Sequence, residues 1–335
     1  MRGRILRLGL VASIAACQVV DKTPGVRSTP APPSDSLVSG APAPPPAAPA
    51  AAPPAAPGPV ATRVVAVVGF LSPECVLHDT AQDTYFVSNV SGSATAKNNK
   101  GFVSRMRPDG AVENLRFIEG GRNGATLHAP KGMALRGDTL WVVDIDAVRG
   151  FDAKTGAPAG LVDLSTQGVV FLQGIAIAQN GALYITDTGI NFDDLGNVQH
   201  KGPDRIFRIG PDLAVSVALR SDSLGWPSGI AVDPVGKRFI VGAFGGRSLL
   251  AWKPGERTPS VVARGPGAFD GVATAGGKLL VSSWNDSTVS SYQTGQAVKL
   301  VTGVPTPGQI GYDAKRNRVL VPSLSTNRVE IWQLP

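Results

Sequence analysis

From Arg63 onward, apolar residues come in short runs separated by turn residues, the pattern of short β-strands. One stretch shows the unit: Gly174-Ile175-Ala176-Ile177, the turn Asn180-Gly181, then Leu183-Tyr184-Ile185-Thr186-Asp187, closing with Arg205-Ile206-Phe207-Arg208-Ile209. An Asn-Gly pair between two apolar runs predicts a hairpin, because that turn needs residues that tolerate positive φ. The unit is written six times. Its opening strand begins Glu74-Cys75-Val76-Leu77, Lys131-Gly132-Met133-Ala134, Gln173-Gly174-Ile175-Ala176, Ser228-Gly229-Ile230-Ala231, Asp270-Gly271-Val272-Ala273 and, more loosely, Gly308-Gln309-Ile310-Gly311, at spacings of 57, 42, 55, 42 and 38 residues. A second apolar strand follows each turn, and a third tends to end on an aromatic: Phe151, Phe207, Trp252, Tyr292 and Trp332. A fourth, polar strand such as Ser260-Val261-Val262-Ala263 completes the copy. Four antiparallel strands repeated six times predict an all-β, six-bladed β-propeller.

The last copy runs out after three strands, which would leave an exposed edge where the first and last blades meet. Arg63-Val64-Val65-Ala66-Val67-Val68 is β-prone and belongs to no hairpin of its own, so it is expected to supply the missing strand and close the ring. The propeller then spans residues 63–335, 273 residues, enough for one large all-β domain.

Ahead of it lie two segments of different character. Residues 1–16 carry Arg2, Arg4 and Arg7, then an apolar stretch from Leu8 to Ala16 too short to span a bilayer, and Ile14-Ala15-Ala16 before Cys17. This resembles the bacterial lipoprotein signal, which implies that Cys17 is lipidated and becomes the mature N-terminus. Residues 17–62 cannot form a core; from Ala41 to Ala61 they are almost wholly Ala and Pro, a composition that favours extended polyproline conformations and reads as a disordered, semi-rigid tether. The expected setting is the bacterial cell envelope, facing the periplasm or the exterior, with membrane contact through the lipid anchor only.

Three of the charges in the formal +7 are the leader arginines, which leaves +4 without a basic run. That excludes a nucleic-acid partner on electrostatic grounds. With Cys17 used by the anchor, Cys75 is the one cysteine left, so stability must come from core burial; a monomer is expected. His78, His128 and His200 lack zinc-ligand spacing, and there is no Gly-x-Ser-x-Gly elbow and no phosphate loop. The two longest copies carry inserts after their second strands, Asn89 to Lys100 and Asn191 to Asp204, which should rise on one face as a rim over the channel mouth. Asp193-Asp194 in the second insert lacks calcium-loop spacing.

Inner strands of a propeller run along the channel in one direction, so equivalent opening residues form a ring at one mouth. The expected ligand-binding ring is Glu74, Lys131, Gln173, Ser228, Asp270 and Gln309, with Asn89, Asp144, Asp187 and Asn285 nearby. Lys131, Asp144 and Asp187 are the candidate catalytic groups. Lys131 either pairs with Glu74 in a polar plug or orients an anionic ligand.

The hairpin ending Gly181-Ala182-Leu183-Tyr184-Ile185-Thr186-Asp187-Thr188-Gly189 is similar to an NHL-type blade. Pro73-Glu74-Cys75-Val76, Pro227-Ser228-Gly229-Ile230 and Phe269-Asp270-Gly271-Val272 resemble the senescence marker protein, gluconolactonase and luciferin-regenerating enzyme family over Arg63 to Pro335. That resemblance implies a divalent cation, calcium above all, at the channel mouth for lactone or ester hydrolysis, with Glu74 and Asp270 as ligands. Ser228 stands where the family has an Asn ligand, and a hydroxyl is the poorer donor to a hard cation. Lys131 beside Glu74 competes with a metal for the same carboxylate. The sequence therefore favours non-catalytic binding of a small sugar-like ligand or a partner protein at the mouth, with cation-dependent lactone or ester hydrolysis as the alternative.

Overall fold

The computed structural model describes residues 60–192, 197–233 and 237–335. The leader, Cys17, the Ala/Pro segment through residue 59, Asp193, Asp194 and the turn residues 234–236 lie outside the described residues.

Among the described residues, six four-stranded antiparallel sheets form a six-bladed β-propeller. The inner strands are Pro73–Asp79, Met133–Arg136, Leu172–Ile177, Pro227–Asp233, Phe269–Ala275 and Gly311–Asp313, and each pairs with the strand that follows it. Closure follows the sequence expectation: Thr62–Val68 pairs antiparallel with Arg328–Gln333, giving the last blade its fourth strand. Val65 and Val67 of this clasp pack against a cluster holding Tyr85 and Val87 of the first blade with Val329 and Ile331 of the last. The folded part reaches slightly further back than Arg63, because Ala61 is buried and its N–H donates to the Leu300 carbonyl.

The core lies between blades, as period-two strands with two buried faces require. Trp141, Leu172, Ile185 and Phe207 join the second blade to the third. Tyr184, Phe239 and Trp252 join the third to the fourth, with the Tyr184 and Phe239 ring centroids 4.4 Å apart. The aromatics expected at the third strands fall here: Phe151, Phe207, Trp252 and Tyr292 are buried, and Trp332 packs against the cluster at the clasp end.

The described residues of the insert in the third blade form strands that its polar sequence does not suggest. Ile190–Phe192 pairs with Val198–His200 as an additional two-stranded ribbon. Three-residue strands carry too little alternation to stand out in sequence. The ribbon is anchored from below: His200 stacks on Trp226 at 5.1 Å, and the buried Asp204 bonds both the His200 ring nitrogen at 2.7 Å and the Trp226 N–H at 2.8 Å.

Candidate functional site

The opening residues converge because of the glycines that follow them. A Cβ at Gly132 would sit 2.6 Å from the Gln173 carbonyl, at Gly174 2.5 Å from that of Ser228, and at Gly229 2.3 Å from that of Asp270. Only glycine lets neighbouring inner strands approach so closely, and the approach brings the preceding side chains together at one mouth. Glu74, Lys131, Gln173, Ser228 and Asp270 accordingly all line one cavity of about 170 Å³, and all are nearly fully buried.

Gln309 does not belong to that set. The N–H of Gly308 donates to the Pro322 carbonyl as that of Lys131 donates to Val143, while the N–H of Gln309 donates to Glu74 as that of Gly132 donates to Gln173. Gly308 therefore holds the ring position, and Gln309 stands where four other blades carry glycine. A one-residue offset turns a strand side chain to the other side. Gln309 lines the opposite end of the channel, and its Nε2 donates to the Gln173 carbonyl at 3.0 Å.

The floor of the cavity is one hydrogen-bonded chain. Gln173 Nε2 lies 2.5 Å from Glu74 Oε1 and 3.3 Å from Asp270 Oδ1, so a single amide bridges the two carboxyls. Ser228 Oγ donates to Asp270 Oδ1 at 2.8 Å, and the Trp284 indole N–H donates to Asp270 Oδ2 at 3.0 Å. Lys131 does not pair with Glu74, which rules out one of the two arrangements the sequence left open. Its Nζ is held by the carbonyls of Ala129 at 3.1 Å and Ala94 at 3.3 Å and lies 4.4 Å above the Phe171 ring centroid. The backbone and an aromatic face thus take the place of a carboxylate partner.

Burial sets the protonation chemistry. It raises the Glu74 carboxyl well above its usual range, with the nearby Asp270 charge pushing the same way and Lys131 opposing. Burial also pushes Asp270 up to about 6, against the hydrogen bonds from Ser228, Gln173 and Trp284. The Lys131 ammonium is pulled down to about 8 by burial, with Asp144 and Glu74 resisting. Two carboxyls and an amine brought toward neutrality in one cavity form an acid–base set. Cys75, on the other side of its strand, is pushed up to about 12 by burial and acts as a small core residue.

The remaining candidates have structural partners and do not line the cavity. Asp144 accepts from the Ala129 and His128 amides and from Arg149 Nε at 2.8 Å. Burial would raise its carboxyl, but those donors hold it below the usual range. Asp187 accepts from the Phe171 amide at 2.8 Å and pairs with Arg205 at 2.5 Å. Asn89 accepts from the Leu71 amide at 3.0 Å. Asn89 and Asp187 end the second strands of their blades and Asp144 directly follows its own, and all three tie down the segment leading into the inner strand of the same blade. Asn285 is exposed and bonds the Pro266 carbonyl at 3.0 Å.

The walls were not foreseen. The residue directly after the second strand supplies Val90, Thr188, Phe244, Trp284 and Leu324, one from each of five blades. Aligning that position across the copies would have exposed the mostly apolar series. Both inserts do rise over this mouth: Gly92 and Ala94 come from the first, and Phe192 and Val198 from the second, with Ile190 just ahead of it.

The residues fit a divalent cation poorly. The point between the two carboxyls is taken by an amide N–H, Asp270 is engaged on both oxygens, and the next charged lining side chain is an ammonium. Among the described residues no group of three or more His, Cys, Asp or Glu side chains is arranged to hold a metal.

Solved structures share the architecture. The chain is similar to a gluconolactonase from Xanthomonas campestris, with 19% identity, a TM-score of 0.60, and 80% of this chain and 88% of that one covered. A second structure assigned to the gluconolactonases gives 18% identity, a TM-score of 0.63, and 83% and 92% coverage. Virginiamycin B lyase from Staphylococcus aureus gives 14% identity, a TM-score of 0.53, and 78% and 80% coverage. The likeness is one of fold. No family model matches the chain, and no curated protein matches it in sequence.

Proposed function

We propose that this protein is a small-molecule-binding propeller of the bacterial cell envelope, held to the membrane through a lipidated Cys17 and binding its ligand in the mouth cavity without a metal. The observation that carries the binding reading is the cavity itself: a polar floor of Glu74, Gln173, Asp270 and Lys131 beneath walls of Phe171, Phe192, Phe244 and Trp284. Its volume matches that of an apolar cavity that takes up benzene, about 150 Å³. A single ring is thus the body that fits, and mostly apolar walls suit an aromatic or alicyclic ring better than the polyol ring of a sugar. Ligand-observed NMR of single-ring compounds against the full chain tests this; a Phe244→Ala, Trp284→Ala variant that still folds should lose the signals. Binding that persists unchanged in that variant would remove the mouth from the proposal. Release of Cys17→Ser from the membrane fraction tests the anchor, and retention there would refute it.

Hydrolysis of a lactone or ester at the same cavity is the second reading, favoured by the buried carboxyl pair brought toward neutrality. Turnover of δ-lactones, measured with and without calcium, separates the two: turnover lost in Glu74→Gln would establish the enzyme.

A further inference from the structure

We propose that the ligand's polar end is a neutral hydroxyl, seated between the Lys131 ammonium and the Glu74–Gln173–Asp270 chain. The inference rests on the binding reading above and adds the head-group chemistry.

A count of hydrogens at the floor leads to it. Gln173 Nε2 directs its hydrogens to Glu74 and Asp270, the Ser228 hydroxyl goes to Asp270, and the Trp284 indole N–H is shared between Asp270 and the Pro307 carbonyl. The floor's amide, hydroxyl and indole donors are therefore engaged within the protein. The acceptor side is not filled: Gln173 Oε1 is buried and accepts no hydrogen bond. A buried acceptor without a donor carries a desolvation cost, so this floor is short of donors.

Lys131 supplies the complementary half. Its ammonium has three hydrogens, two of which meet the Ala94 and Ala129 carbonyls. Among the described residues it has no carboxylate ion-pair partner, although Glu74 lines the same cavity and feels its charge. An ammonium with two carbonyls and a ring face as partners, and a residue with an unfilled acceptor, thus line one cavity. A hydroxyl suits both sides of this floor: its oxygen accepts from Nζ and its hydrogen goes to the Glu74 carboxyl, which lines the same cavity. A carboxylate head can only accept, and meets two carboxyls with one ammonium to receive it. An ammonium head can only donate, and places a second cation beside Lys131.

Desolvation points the same way. An ionic head brings its own desolvation cost into a mostly apolar cavity, and a neutral hydroxyl does not. With room for one ring, the ligand class is a phenol or a ring-bearing alcohol.

Four probes of one shape test this on the full chain at pH 7: benzyl alcohol, ethylbenzene, benzylamine and benzoate, by ligand-observed NMR titration. Benzyl alcohol is expected to bind about tenfold tighter than ethylbenzene and tighter than either ion, the scale of a hydrogen bond to a charged group. In Lys131→Met its advantage over ethylbenzene should fall below about threefold. If benzoate or benzylamine binds tightest, or if the alcohol's advantage survives Lys131→Met unchanged, the hydroxyl inference is wrong. Equal binding of ethylbenzene and benzyl alcohol refutes the head group and leaves the binding reading standing. Failure of all four to bind refutes both.

Discussion

Lys131→Met gives a test of the site that needs no ligand. In the folded protein burial pulls this amine from its ordinary 10.5 to about 8. The unfolded chain therefore binds more protons than the folded one between those values. Below pH 8 the charged, buried amine costs stability, and the cost is relieved as pH rises toward 10.5. At 1.36 kcal/mol per pKa unit the relief comes to roughly 3 kcal/mol. Methionine has a similar length, no charge and no titration. At pH 7 the substitution removes the burial cost but gives up two hydrogen bonds to carbonyls, each worth about 1.5–3 kcal/mol for a charged donor. The two contributions are comparable, so the net change at pH 7 should stay within about 2 kcal/mol, whereas breaking a direct ion pair with Glu74 would have cost about 3–5 kcal/mol. Urea unfolding of both proteins at pH 7, 8, 9, 10 and 10.5 reads the difference, and groups that do not feel the Lys131 charge cancel. Wild type should gain on the variant by roughly 3 kcal/mol across that range. Parallel stability curves would show that the amine is not desolvated, and the description of the cavity floor would fail with it.

Four other outcomes follow from the same geometry. Burial raises Asp270 to about 6 against 3.8 in the unfolded chain, so the folded protein holds the extra proton and loses stability as pH rises between them; Asp270→Asn should lack that loss and gain on wild type between about pH 4 and 7 in urea unfolding, and parallel curves would refute the desolvation of Asp270. Asp187→Ala leaves the buried Arg205 without its partner and should cost about 3–5 kcal/mol in chemical unfolding, with probe affinity of the remaining folded protein unchanged; lost affinity at unchanged stability would return Asp187 to the site. Deleting Thr62–Val68 should lower the melting temperature of the whole propeller in one transition, because it strips the last blade of its outer strand and uncovers Val329 and Ile331; an unchanged transition would refute the clasp. Millimolar calcium should leave the melting temperature within about 1 °C, and a clear rise would restore the cation reading.

The architecture was legible in the sequence because each of its determinants is local. Turn dipeptides such as Asn180-Gly181, the two-residue alternation of the strands and the glycines after the opening residues recur at a readable period, and repetition makes each weak signal count six times. The unpaired Arg63–Val68 stretch fixed closure by the same reasoning, since a blade one strand short leaves an edge. The site was half legible. Five opening residues could be assigned to one mouth from the shared direction of the inner strands, but the sixth blade lacks the Gly signature, and an offset of one residue exchanges Gly308 for Gln309.

Only the tertiary structure decided partners. Nothing local reveals that the Ala94 and Ala129 carbonyls and the Phe171 ring, rather than Glu74, receive Lys131, or that Trp284 reaches Asp270 from the neighbouring segment. Asp144 and Asp187 look like catalytic carboxylates in the sequence and are strand-end anchors in the fold, because the amides they hold lie 15 and 16 residues away. Strand periodicity is a property of the chain and can be read from it. The depth to which a charge is buried, and which donor meets it there, are set by contacts between blades that sequence distance does not encode.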